Sequence, residues 1–136
     1  MNLKNLQMKN NITKFDLLIF KDMKNQNGIQ AFADFPNGFG ASIVKSDISY
    51  GGKSGLFELA VLDNDTGNIN STTDITDDVI GWQDENDIDR ILTAISKLNE
   101  DGTLPKDVTI WKRSVGGAIG YTVKNPVPYI GKYTTN

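Results

Sequence analysis

The stretch that most restricts the fold is FPNGFGASIVKSDISYGGKSGLFELAVL, residues 35 to 62. Phe39, Ala41 and Ile43 repeat every second residue, as do Phe57, Leu59 and Val61 after the glycine-rich loop. A period of two is that of a half-buried strand. Pro36 presets φ, and Asn37-Gly38 turns the chain and accommodates a bulge. Upstream, Ile29, Ala31, Ala33 and Phe35 alternate against Gln30 and Asp34, with Phe32 the apolar exception on the outer face. These runs predict consecutive antiparallel hairpins. The last run is also apolar at Leu56, Ala60 and Leu62. It is therefore expected to lie centrally, or to be covered on its second side by a helix or another subunit.

The remainder fits around this meander. Ile88, Ile91, Leu92, Ile95 and Leu98 recur at three- and four-residue spacing and predict one amphipathic helix over 84–98. Asp84 is the expected N-cap, with Glu85, Asp87 and Asp89 on the positive end of the dipole and Lys97 at the other end. FDLLIF, 15–20, reads as a buried strand. KNQNG, 24–28, and DNDTG, 63–67, read as reversals, the second leading to an edge-like strand near 68–72. Residues 75–82 read as a connector that buries Ile75, Val79, Ile80 and Trp82. VTIWKR, 108–113, pairs with AIGYTV, 118–123, and the proline-bearing tail is extended. The expectation is a flexible arm over 1–13 and a single α+β domain over 14–136 with an extended C-terminal tail. Its antiparallel sheet, of about five to seven strands, carries the helix on one face.

Composition removes several chemistries. The chain has no cysteine and no histidine, which excludes disulfides, thiolate catalysis, serine triads in their usual form and histidine-bearing zinc sites. No run approaches the ~20 apolar residues of a membrane span, and no h-region follows the N-terminal lysines, so a cytoplasmic protein without a membrane partner is expected. The net charge of −3 conceals a division. Residues 63–101 hold eleven acidic and two basic side chains, and the rest holds six acidic and twelve basic. An acidic span of this kind suits a solvated helix face, a basic partner or charge-complementary self-association.

Three motifs invite chemistry. Gly52-Lys53-Ser54 ends like a phosphate-binding P-loop, but Asp47 stands where its first glycine belongs and a strand follows instead of a helix. A looser anion nest remains, made of the backbone of Tyr50, Gly51, Gly52, Lys53 and Ser54 with the Lys53 charge. Asp63, Asp65 and Gly67 begin like a calcium loop, but later ligand positions do not match. Trp111 beside Lys112 and Arg113 suggests aromatic stacking with a cation for a nucleotide, whereas an acidic isoelectric point argues against broad nucleic-acid binding. Asp84, Glu85 and Asp87 are candidates for a basic partner protein, and Asp77 and Asp78 for carboxylate catalysis. No catalytic constellation, resident metal or cofactor is assigned.

Four blocks in order, NGFGASIV (37–44), YGG (50–52), GLFELAVL (55–62) and ITDDVIGW (75–82), with the helix after them, resemble a group of small uncharacterised bacteriophage proteins. The resemblance covers about 35–98 and implies a phage-encoded accessory protein working in the bacterial host cytoplasm, in host takeover or counter-defence. It supplies no site residues. Together these readings lead to a non-enzymatic, homo-oligomeric binding protein that acts on a host protein or sequesters a small anionic, nucleotide-like ligand. A minor virion component and a carboxylate- or metal-dependent enzyme are the alternatives.

Overall fold

The computed structural model describes residues 9–112 and 119–123, the backbone alone from 109 onward. Five strands form one antiparallel sheet in the order β1 (Lys21–Asp22), β2 (Gly28–Asp34), β3 (Phe39–Ser46), β4 (Phe57–Asp63) and β5 (Ile80–Gln83). The one α-helix among the described residues, α1 (Glu85–Ser96), follows β5. A separate hairpin of β6 (Val108–Lys112) and β7 (Ile119–Val123) completes the described chain, with β7 against α1. The fold is thus α+β, a meander sheet with one helix on it. Among the described residues no helix is long and apolar enough to cross a membrane.

The alternation that predicts the strands also decides which face is buried. Ala31, Ala33, Ala41, Ile43, Leu59 and Val61 are all buried, and they meet Ile88, Ile91, Leu92 and Ile95 of α1. Burying each such side chain contributes about 1.5–3 kcal/mol, which fixes register because a one-residue slip would turn every one of them to water. Two asparagines fasten the ends of this layer. Asn37 Nδ2, in the β2–β3 turn, donates to the carbonyls of Ile95 (2.8 Å) and Leu98 (3.0 Å) at the end of the helix, adding a bond to the Ile95 carbonyl that already accepts the Leu98 N–H. Asn64 Nδ2 donates to the carbonyls of Phe35 and Phe39 across the same turn.

Three expectations are corrected. The 15–20 segment is not a strand: Phe15–Leu17 is a 3-10 turn, and only Lys21–Asp22 pairs with β2. Phe15 and Phe20 pack with Phe57 at ring-centroid separations of 5.0 to 5.5 Å, while Leu17 and Ile19 point outward. Anchoring three rings on the core forces a turn that period-two pairing does not allow. The edge strand near 68–72 is reduced to one bridge, Leu62 to Ile69. The segment 46–55 is the expected inter-strand loop and carries a 3-10 turn, Gly52–Ser54. Finally, the 75–82 connector ends in a fifth sheet strand, and Trp82 is exposed. At the N-terminus, Asn11 N–H donates to the Asp34 carbonyl and Asn10 Nδ2 to that of Phe32, so residues 10 and 11 lie along the edge of β2 beyond β1.

Candidate functional site

A bulge at the β4–β5 edge builds the most distinctive surface of the molecule. Phe57 pairs with Gln83 and Leu59 with Ile80, so three steps on β5 span two on β4. The extra residue keeps both Ile80 and Gln83 buried and turns Trp82 outward, at φ 61 and 42% exposed. A positive φ on a bulky aromatic residue is uncommon and strained. Gln83 holds the conformation from below: its fully buried side-chain amide reaches back to donate to the Gly81 carbonyl at 2.7 Å.

The 47–55 loop holds it from beside. Trp82 N–H donates to the Tyr50 carbonyl at 3.1 Å. Contact here is close enough to need glycine on both sides. A Cβ on Gly81 would lie 2.3 Å from Tyr50 Cβ, and one on Gly51 would lie 2.9 Å from Trp82 Cα. Gly51 also has φ 89, a backbone that side chains rarely adopt. Ser46 and Ser49 tie the loop base through reciprocal backbone and hydroxyl bonds. The result is an exposed ridge of Tyr50 and Trp82 around a shallow hollow of about 230 Å³, with Asp47, Lys53 and Ser54 on its walls.

Of the residues singled out in the sequence, Tyr50, Gly51, Lys53 and Ser54 meet here, and Gly52 lies in the same turn. The backbone N–H groups of Tyr50, Gly52 and Ser54, however, are already occupied. The N–H of Tyr50 donates to Glu58 Oε2 at 2.7 Å, that of Gly52 to the Ser49 carbonyl, that of Ser54 to Gly51 and that of Gly55 to Gly52. An anion nest needs successive N–H groups pointing outward. Here alternate N–H groups of the loop, Gly52 and Ser54, close turns instead, and the carboxylates of Glu58 and Asp47 stand beside it. Trp111 lies in β6 and Arg113 lies outside the described residues.

The acidic candidates separate. Asp84 accepts the Asp87 N–H at 2.8 Å and Asp87 accepts the Asp84 N–H at 2.8 Å, a reciprocal cap on α1. Asp87 is fully buried and also accepts from Arg90 Nη2 at 3.3 Å. Burial pushes its carboxyl up to about 6, with the nearby Asp84 charge adding to the effect and the capping bond and Arg90 opposing it. Asp87 is thus unavailable to a partner surface, which retains exposed Glu85 and half-buried Asp84. Asp78 receives the Val79 N–H at 2.8 Å and Asp77 is exposed. Among the described residues no three acidic groups converge to hold a metal ion.

Sequence reasoning missed Trp82, Gly81 and Gln83 as site residues. The available signal was Gly-Trp at the end of an apolar run, with glycine where a strand gains nothing from it. Comparison with family models, with curated proteins and with solved structures finds no match to this chain.

Proposed function

We propose that this chain is a non-enzymatic binding protein that engages a protein partner through the ridge of Tyr50, Trp82 and Lys53. The carrying observation is Trp82: a bulge, a positive φ and two close glycine contacts combine to put an indole in solvent that a regular strand would bury. Tryptophan and tyrosine are the side chains on which protein interfaces most often concentrate their binding energy. A hollow of about 230 Å³ is smaller than the ~300–1,000 Å³ typical of small-ligand pockets. The committed loop amides and the Glu58 and Asp47 carboxylates further favour a protein over a sequestered anion. The phage resemblance supplies the setting, a partner among bacterial host proteins and a role in host takeover or counter-defence.

A photo-crosslinking residue in place of Tyr50, in bacteria expressing the full chain, is expected to capture one discrete host protein. Binding of that purified protein should then weaken by about tenfold to a hundredfold on Trp82→Ala, with circular dichroism unchanged. Unaltered affinity removes the reading. Thermal shift with ATP is the counter-test: stabilisation lost on Lys53→Ala would favour the nucleotide-sequestering role.

A further inference from the structure

We infer that the sheet face opposite α1 is the contact surface of a homodimer, two copies stacking sheet on sheet about a twofold axis that runs along the strands between β2 and β3. No described helix or strand covers this face. Strand register defines it, because directly paired residues share a side. One row across the sheet is Lys21, Gln30, Val44 and Glu58, and the next is Phe32, Ser42 and Ala60. A third ends in Leu62 and its bridge partner Ile69. Phe32 is 54% exposed and Ile69 58%.

Shape and charge along these rows are self-complementary. Phe32 projects beside two small neighbours, and those neighbours floor a groove of about 390 Å³ that Val44, Leu62 and Val79 also line. An axis along the strands reverses strand order in the second copy, so β2 faces β3 and β1 faces β4. Phe32 of each copy then faces the partner subunit's Ser42, and Lys21 faces the partner subunit's Glu58. An axis across the strands would instead set β1 over the partner subunit's β1, and where it crosses the Lys21 row it would oppose Lys21 to Lys21, an unfavourable pairing of like charges. The four strands that overlap about this axis, β1 to β4 with 2, 7, 8 and 7 residues, present roughly 400 Å² per copy at ~4.8 Å by ~3.4 Å per residue before side-chain relief is counted, about half the ~800 Å² per partner of a standard interface, which fits a weak, concentration-dependent dimer. Sheets stacked in this way lie ~10 Å apart with strands within about 30°.

Lys21, Phe32 and Ile69 do not line the Trp82 hollow, so Phe32→Asp and Lys21→Glu test the dimer apart from the ridge; Glu58 is shared, since it also accepts the Tyr50 N–H. Sedimentation velocity of the full chain from about 1 to 300 μM is expected to show a monomer–dimer equilibrium. Phe32→Asp should raise the dimer dissociation constant at least about tenfold. Lys21→Glu, at an exposed edge strand where folding is not at stake, should do the same, and Lys21→Glu with Glu58→Lys should restore association. A monomer across the whole range overturns the inference and leaves the face to another occupant. A dimer indifferent to both Phe32→Asp and Lys21→Glu overturns it equally, since association would then use another surface.

Discussion

Asp87 shows how one carboxylate serves the fold and limits it. Its side chain closes the reciprocal cap on α1, yet it is fully buried, and its carboxyl titrates near 6 instead of 3.8. A raised acid binds its proton more readily in the folded state than in the unfolded chain. The folded state therefore holds more protons between about pH 4 and 6, and stability from this group falls as pH rises through that window. The contribution is present in full below about 4 and is lost above about 6, a change on the order of 3 kcal/mol. Urea denaturation of Asp87→Asn against the parent chain should show the parent losing stability relative to the variant as pH rises from about 4 to 7. Parallel profiles would show that this carboxyl does not titrate in the window. The sequence revealed Asp87 as a helix-start residue, which it is. Its burial was hidden, because first-turn acids are ordinarily solvated and only the neighbouring sheet encloses this one.

At the scale of elements, the junction between the 47–55 loop and β5 is where a local rule gives way. Period two read through 80–83 would bury Ile80 and Trp82 together. The bulge instead buries Ile80 and Gln83 and expels Trp82. Gly81 makes the junction possible by contact, since its added Cβ would meet Tyr50 Cβ at 2.3 Å. Gly81→Ala should therefore destabilise by about 2 kcal/mol, as overpacking does. Gly67→Ala, at φ 75 with nothing within 4 Å, should cost about 1 kcal/mol from backbone strain alone. Chemical denaturation midpoints compare the two, and a Gly81 variant as stable as the parent would mean that the loop yields. The hairpins and the helix were legible because their apolar periods are long and agree with their turns. The 15–20 segment, the residue 68–72 connection and β5 were not, since each is short and takes its shape from a surface elsewhere in the chain: the Phe57 ring, Leu62 and the β4 edge.

For the whole molecule, the proposed dimer predicts that the two faces of the sheet obey different thermodynamics. The α1 side is an intramolecular core: Ile43 is fully buried in it, so Ile43→Ala should remove about 2–5 kcal/mol at every protein concentration. The opposite side bears the exposed Phe32; in the proposed dimer its ring would contribute through association with a second copy and so would respond to concentration by mass action. Thermal unfolding of the parent chain should shift to higher temperature as the protein is concentrated. Ile43→Ala should lower the transition while keeping that dependence, and Phe32→Asp should abolish the dependence while leaving the dilute-limit transition nearly unmoved. The expectation of a covering on the second face of 56–62 came from Leu56, Ala60 and Leu62 being apolar. The register with Ser42 and Phe32 converts it from a matter of composition into a geometric statement about which residue meets which. If scans at low and high concentration superimpose for the parent chain, the stacked-sheet dimer is wrong.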